Sequence, residues 1–587
     1  GLLVLMSQLF DDNVDYDLQV KGDFQDPPEL GNQFLDDPAL QSVLQRLIPN
    51  TVMKEIRPDL VRFGARCGGE LNEQGRLCEQ NPPTLVQLDG WGKRVDKIVT
   101  CDAWKKMKET SAVEGCIATG YERKQGEHSR LFQFAKLLMF GPSSGLFNCP
   151  LAMTDGAARL CEVLLQRRDL DTEVEGALKT AWDHLTSRDV NQFWTSGQWM
   201  TERGGGSDVA QGTRTVAVQE GTQGSVYRLY GHKWFTSATD SDIAITLAKI
   251  AKPGGEIGRL ACFLVRVRDE QTGQLNNIKV DRLKSKLGTR QLPTAELQLC
   301  GTRAHLLANN GISSIAHLIN VTRIYNSVAA VGGMQRALAL QRSYVHKRRV
   351  FGKLLADTPA HMETLRGMEV EYGGALCLVM EVVRLMGKQE VDKASEDEIL
   401  LLRLLTPLTK MYTGKQAVAV ASESLEAFGG QGYIEDTDLP RLLRDAQVLP
   451  IWEGTTNVLA HDVLRVMHKS KGAAFSLFCS TVYSKLTGVN SRSGCIVVAP
   501  CVSAVQQAVK QLATFVEQAG SSQLTRLSRY LSFAMARVFT ACLLLEHATW
   551  SDAKQDWDTA DRWVHCSAPL LPSPLSHFLA APAPAKL

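Results

Sequence analysis

Apolar positions along the chain change their period twice. Over residues 30–190 they recur mostly at helical spacing, as in HSRLFQFAKLLMF (128–140), where Leu131, Phe134, Leu137 and Leu138 fall on one face. Two stretches in that segment, NPPTLVQLDGWG (81–92) and FGPSSGLFNCP (140–150), break the period and read as loops. Between about 194 and 305 the runs become short and β-rich, separated by Gly, Asp and Pro: TRTVAVQ, SVYRLYGHKWFTS, DIAITLAKI, RLACFLVRV and TAELQLC. They predict a compact sheet domain inserted between helical ones. From 310 the helical period returns, and VAAVGGMQRALALQRSYVHKRRV (328–350) and LRGMEVEYGGALCLVMEVVRLMGK (365–388) are long enough for bundle helices. The expected architecture is α+β and multidomain, with an N-terminal extension and helical domain (1–190), a β-domain (191–305), a helical bundle (306–470) and a helical appendage ending in a Pro/Ala-rich tail (471–587).

A length of 587 residues fits three or four cores rather than one, and 44% apolar with 22% charged residues is an ordinary globular composition. A formal charge of +2 leaves no overall polyanion-binding signature. Charge is nevertheless uneven, because residues 466–545 carry Lys469, Lys471, Lys485, Arg492, Lys510, Arg526, Arg529 and Arg537 against one acid, Glu517. That asymmetry keeps a nucleic-acid- or lipid-binding role open as a second reading, against the bland one of solvated helix faces. NSRSGCIVVAPC (490–501) interrupts the helical pattern in this segment and reads as an insertion or a faulty gene prediction. Fourteen cysteines without a C-x-x-C pair match neither a zinc site nor a disulfide framework, and predict reduced thiols in an intracellular protein. No uninterrupted apolar run reaches bilayer length. The chain starts at Gly1 rather than Met, which suggests an incomplete or trimmed start, and its acidic residues 11–26 are the opposite of a transit peptide. The ending Ala585-Lys586-Leu587 is close to the S-K-L peroxisomal address, with a plain tail as the alternative.

Four stretches carry possible chemistry. MTERGGGSD (200–208) has three consecutive glycines through which backbone N–H groups can approach an anion or a flat ring, although on its own a flexible turn is the better explanation. GHKWFTS (231–237) follows some thirty residues later and places Phe235 and Ser237 at a second strand end. HKRRVFGKLL (346–355) puts Lys347, Arg348 and Arg349 at a helix end before Phe351, either as a solvated basic terminus or as a phosphate clamp. GGQGY (429–433) leads to LPIWEGTTN (449–457), in which Glu453 stands beside Trp452 ahead of a helix that Thr455 or Thr456 can cap. A carboxylate desolvated in such a place is suited to general-base work, with a turn carboxylate as the alternative.

Together, in this order, the four stretches resemble the motifs of the acyl-CoA dehydrogenase family, and the match is closest to its AidB-like branch. MTERGGGSD resembles the flavin motif TEPxxGSD, with Arg203 in place of the proline, and RRVFGKLL resembles RxxFGxxL. GGQGY through IWEGTTN resembles the signature that ends in the catalytic glutamate. Two further departures from the common pattern are Glu426 and Pro359, each where many relatives carry glutamine. The resemblance implies a helical domain, a β-domain and a four-helix bundle, assembled as a homo-oligomer, a tetramer or dimer. It implies FAD as cofactor and an acyl-CoA thioester as substrate, with an electron-transfer flavoprotein or oxygen as electron acceptor. By the same resemblance Met200, Thr201, Gly206 and Ser207 wrap the flavin, Phe235 and Ser237 back its ring, and Arg348 and Phe351 reach the FAD of a neighbouring subunit. Gly430 lines the adenosine side, Thr455 and Asn457 contact FAD beyond the base, Arg323 stands near the base, and Glu453 is the base itself. The reaction implied is α,β-dehydrogenation to a trans-2-enoyl thioester. In the AidB-like branch a basic C-terminal domain is linked to duplex DNA, which makes DNA a possible partner of the appendage.

Overall fold

The computed structural model describes residues 25–221, 224–252, 256–269, 271–490 and 498–580. The acidic N-terminal stretch up to residue 24, most of the interrupting segment 490–501 and the terminal Ala-Lys-Leu lie outside the described residues.

Seven longer helices build the N-terminal domain: α1 (Pro38–Leu47), α2 (Asn50–Gly68), α3 (Glu70–Gln80), α4 (Asp102–Val113), α5 (Ser129–Phe140), α6 (Asn148–Leu165) and α7 (Thr172–Leu185). The Asp37 carboxylate accepts the Leu40 N–H and caps α1. Residues 81–92, expected as a loop, instead open an antiparallel hairpin of β1 (Thr84–Leu88) and β2 (Arg94–Val99). Its stability comes from the β-domain: Gln87 and Arg94 donate to the Val280 carbonyl, and Asp96 accepts the Val280 N–H. The pairing that makes these residues strands is therefore with a partner nearly two hundred positions away.

The β-domain comprises β3 (Ser196–Trp199), β4 (Val216–Gln219), β5 (Val226–Ser237), β6 (Ile243–Ala251), β7 (Ile257–Arg266), β8 (Ile278–Leu283) and β9 (Thr294–Ala308). Hydrogen bonding runs β6-β4-β5-β9-β7 and returns to β6, closing the sheet on itself, with β3 parallel to β6 and β8 against β9. Trp199, Leu229, Phe263, Val265 and Leu297 fill its interior.

The bundle is made by α8 (Gly311–Tyr344), α9 (Pro359–Glu390), α10 (Glu396–Ala427) and, after the short α11 (Leu439–Ala446), α12 (Thr456–Lys469). Asn310 caps α8, and Ser395 with Glu398 forms a capping box at α10. A buried network ties α8 to the N-terminal domain: Arg130 pairs with Asp155 at 2.8 Å and Glu390 at 2.6 Å, and the Tyr121 and Tyr325 hydroxyls both donate to Asp155. Arg130 and Asp155 are almost fully enclosed, so the pairing fixes the rotation of α8.

The appendage folds as α13 (Ala473–Asn490), α14 (Val498–Gln518), α15 (Ser521–Ser551), α16 (Lys554–His565) and α17 (Ser573–Ala580), so helix continues further towards the C-terminus than the Pro/Ala-rich composition implied. α15 is the one described helix long and apolar enough to cross a membrane, yet 89% of its apolar window is buried inside the protein against α9, α10 and α12. No disulfide joins the described cysteines.

Candidate active site

After α11 the chain reaches α12 through a turn in which Glu453 has φ +56° and Gly454 φ +106°. A non-glycine residue in that region is disfavoured unless its surroundings hold it there. Three side chains do so. Lys410 of α10 donates to the carbonyls of Trp452 at 2.5 Å and Gly454 at 2.7 Å, on either side of Glu453. Arg323 of α8 donates through Nε to the Glu453 carbonyl at 3.3 Å while pairing with Asp462 at 2.7 Å. The Trp452 indole N–H donates to Asn326. The Glu453 carboxylate itself is half-buried and accepts a 2.6 Å hydrogen bond from the Thr322 hydroxyl. Thr322, Arg323 and Asn326 lie on one turn of α8, so a single helix face aims the carboxylate and braces its backbone.

Burial pushes the Lys410 ammonium down to about 7, with Glu453 opposing the shift and Arg323 adding to it. Lys286, in the KLGTR loop of the β-domain, is likewise lowered to about 8 by burial. Burial drives the Cys149 thiol up to about 12, with Lys286 opposing the shift and Glu453 adding to it.

On the β-domain side, Met200 is buried and Thr201 half-buried, while Gly206 and Ser207 are exposed. The Trp234 N–H donates to the Thr201 carbonyl at 2.9 Å. What fixes this loop is Glu202, enclosed and bonded to Lys233 at 2.8 Å, the Thr215 hydroxyl and the backbone N–H groups of Arg214 and Thr215. Arg203, in the place of the family's proline, reaches towards Glu296 and lies over the Trp234 ring at 5.2 Å. Phe235 ends 55% exposed, and the Ser237 hydroxyl meets that of Thr294, which also accepts from Lys286. An exposed aromatic on a barrel strand beside an open glycine backbone is an apolar and hydrogen-bonding surface suited to a flat heteroaromatic ring.

Arg348, Phe351 and Gly430 are not brought to this place. Arg323 and Tyr344 are 21 residues apart on one helix, which is about 30 Å. Beyond Tyr344 the hairpin of β10 (Arg349–Val350) and β11 (Lys353–Leu354) carries Phe351 with its ring fully exposed at φ +48°. The Tyr344 ring packs on Phe428 at 4.8 Å, so this hairpin and the Gly429–Tyr433 turn share the opposite end of the bundle from Glu453. A side chain at Gly430 would meet nothing within 4 Å, and Tyr433 is 89% exposed. Lys347 is engaged there by the Pro27 carbonyl and Glu29, and Arg348 by Gln25.

Thr455 occupies the N-cap position of α12, but its side chain makes no capping bond, and Thr456 is already inside the helix, so the expected side-chain cap is absent. The adjacent N-terminal turn instead receives Arg529 of the appendage, which donates to Asn457 at 3.2 Å. Sequence reasoning also missed Thr322, Lys410, Glu202 and Lys233. A lysine inside the apolar run LLTPLTKMYTG was the one available signal, since an unexposed cation needs acceptors.

A helical domain, a closed β-domain and a four-helix bundle, with a carboxylate held in a strained loop ahead of the last bundle helix, define the acyl-CoA dehydrogenase class. Residues 309–468 match the acyl-CoA dehydrogenase C-terminal domain, 197–301 its middle domain, 25–184 the adaptive response protein AidB N-terminal domain and 473–576 the acyl-CoA dehydrogenase 11 C-terminal domain-like family. The chain is 44% identical to acyl-CoA dehydrogenase family member 11 of Caenorhabditis elegans over 93% of its own length and 89% of the relative's. It is 32% identical to the putative acyl-CoA dehydrogenase AidB of Escherichia coli over 70% of the chain and 74% of that protein. Among solved structures, Caenorhabditis elegans ACDH-11 in complex with C11-CoA superposes with a TM-score of 0.90 at 43% identity, covering 94% of each chain. The chain belongs to the acyl-CoA dehydrogenase family, in its AidB-like branch, and is an enzyme of that class of FAD-dependent oxidoreductases.

Proposed function

We propose that the protein introduces a trans double bond between Cα and Cβ of an acyl-CoA, with Glu453 as the base. The observation that carries this reading is the Glu453 carboxylate, aimed by Thr322 at 2.6 Å from a loop whose backbone Lys410 and Arg323 hold on both sides. The α-proton of a thioester is weakly acidic, so its removal needs hydrogen-bond donors at the carbonyl oxygen as well as a base. Glu453 supplies both: its carboxylate takes the α-proton, and its backbone N–H faces the carbonyl oxygen. The Cα–H electron pair becomes the new π bond as the Cβ–H bond breaks and its hydride leaves on the opposite face. When bound, FAD accepts that hydride.

Met200, Thr201, Gly206, Ser207, Phe235 and Ser237 would hold the ring end of the cofactor, with Thr455 and Asn457 beyond the base. The remote Arg348, Phe351 and Gly430 would serve the cofactor of a neighbouring subunit, which supports a homo-oligomer. The relative's complex with C11-CoA supports a medium-to-long acyl chain as substrate. An electron-transfer flavoprotein would be the acceptor in mitochondria and oxygen in peroxisomes.

The test is anaerobic titration of the purified flavoprotein with acyl-CoAs of increasing length, C11-CoA among them. Flavin absorbance bleaches with at least one of them, and Glu453→Gln abolishes the bleaching while retaining FAD. No bleaching with any member, or equal bleaching in Glu453→Gln, would overturn the assignment.

A further inference from the structure

Lys410 stands in the middle of α10 with no exposed surface. Among the described residues no carboxylate pairs with it, and its ammonium is spent on two backbone carbonyls, those of Trp452 and Gly454. Burying a cation for two neutral acceptors is costly, and a methionine would fill the same helix position without that cost. What the lysine adds is direction. The carbonyl of Trp452 and the N–H of Glu453 belong to one planar peptide group and, in the trans form found throughout the described chain, point opposite ways. A cation bonded to the oxygen draws electron density towards it and makes the N–H on the far side a stronger donor.

We propose that Lys410 is a positioning residue that polarises the Trp452–Glu453 peptide, so that the Glu453 N–H binds the negative charge developing on the thioester carbonyl oxygen. The proposal rests on the reading of Glu453 given above. The second bond, to Gly454, closes the clamp and keeps Glu453 at positive φ, where its N–H and its carboxylate serve the same substrate.

The charged groups facing the ammonium are Glu453 on the loop and Arg323 on α8. Those on the other packed elements are engaged elsewhere. Asp462 of α12 pairs with Arg323, Glu371 of α9 meets Gln416, and Arg537 of α15 meets Tyr412. Arg441 and Arg444 of α11 pair with Asp438 and Glu79, and Lys485 of α13 with Glu546. With its charged form disfavoured by burial and held to about 7, Lys410 loses its cation as pH rises through neutrality, and the polarisation weakens in the same direction.

The experiment uses the flavoprotein with C11-CoA and the corresponding 2-enoyl-CoA carrying 13C at the thioester carbonyl. In Lys410→Met the anaerobic rate of flavin reduction falls by roughly 10–100-fold, somewhat less than the loss of a direct oxyanion donor, while C11-CoA binding changes little. The infrared carbonyl band of the bound enoyl-CoA, shifted down in the wild type, moves back towards its value in water. In the unmutated protein the same downshift shrinks as pH rises from about 6 to about 9, a readout that needs no variant to fold. If the wild type bleaches in a Glu453-dependent way but its carbonyl band is insensitive to pH and to Lys410→Met, the polarising role is overturned and the assignment of Glu453 stands. If the wild type never bleaches, both fall.

Discussion

Lys233 and Glu202 illustrate how a motif can be essential to a site without touching the chemistry. Both sides of the pair are enclosed, at 0% and 4% side-chain exposure, and Glu202 has three further donors in Thr215 and the backbone of Arg214 and Thr215. The lysine is lowered by burial against the opposing pull of Glu202, and the carboxylate is lowered by Lys233 and its other donors against burial. Removing one partner of such a pair leaves an uncompensated charge, so Lys233→Met is expected to destabilise the fold by roughly 3–5 kcal/mol in chemical denaturation. Changing Glu202→Gln in the same chain recovers most of that loss, because the remaining amide is neutral. The contrast with Lys410 is instructive: one buried lysine has a carboxylate and locks the glycine loop, whereas the other has only carbonyls and braces the loop that carries Glu453.

At the scale of elements, the loop Lys286–Arg290 shows what ties the β-domain to the bundle. The Thr289 N–H donates to Asp445 of α11 at 2.6 Å, and a Cβ at Gly288 would stand 2.4 Å from the Arg444 carbonyl oxygen and 2.5 Å from its carbon. Backbone cannot yield as a flexible side chain can, so Gly288→Ala is expected to cost about 1–3 kcal/mol and to swing the loop away from Ser237 and Thr294. Weaker FAD retention on gel filtration, with the far-ultraviolet spectrum preserved, is the result that checks it. Such junctions were the least legible part of the chain. The long strands β5, β6, β7 and β9 announce themselves through β-branched and aromatic runs, and α8 and α9 through length and period. By contrast β3 has four residues, β8 has six of which three are charged, and the β1–β2 hairpin depends on Val280, so their pairing is decided by tertiary partners rather than local pattern. The same holds at the site. Glu453 sits in a recognisable stretch, but Thr322 and Lys410 lie inside apolar helices where only the folded bundle shows what they face.

Across the whole molecule, charge bears on the role of the appendage, and distance on the proposal that the chain works as part of an assembly. The cations counted in the appendage are partly consumed internally: Lys485 pairs with Glu546, Arg537 is enclosed against Tyr412 and the Trp563 carbonyl, and Arg529 binds Asn457. Of these, Arg529 and Arg537 fasten the appendage to the bundle, while Lys485 joins two of the appendage's own helices. At the far end, the exposed rings of Phe351 and Tyr433 and the open backbone at Gly430 stand together about 30 Å along α8 from Arg323, beyond reach of this subunit's own Glu453. If Arg348 serves a neighbour's cofactor, two separately inactive chains can repair each other. A chain carrying Arg348→Ala keeps a sound Glu453, and one carrying Glu453→Gln keeps a sound Arg348, so a site formed from the first chain's glutamate and the second chain's arginine is intact. Random pairing of equal amounts restores about a quarter of the sites in a two-fold dimer, whereas each variant alone restores none. Co-expression with two affinity tags, followed by the anaerobic bleaching amplitude per flavin, measures that fraction. An amplitude no greater than the mean of the two single variants would place Arg348 outside the shared site and leave its hairpin an ordinary surface turn.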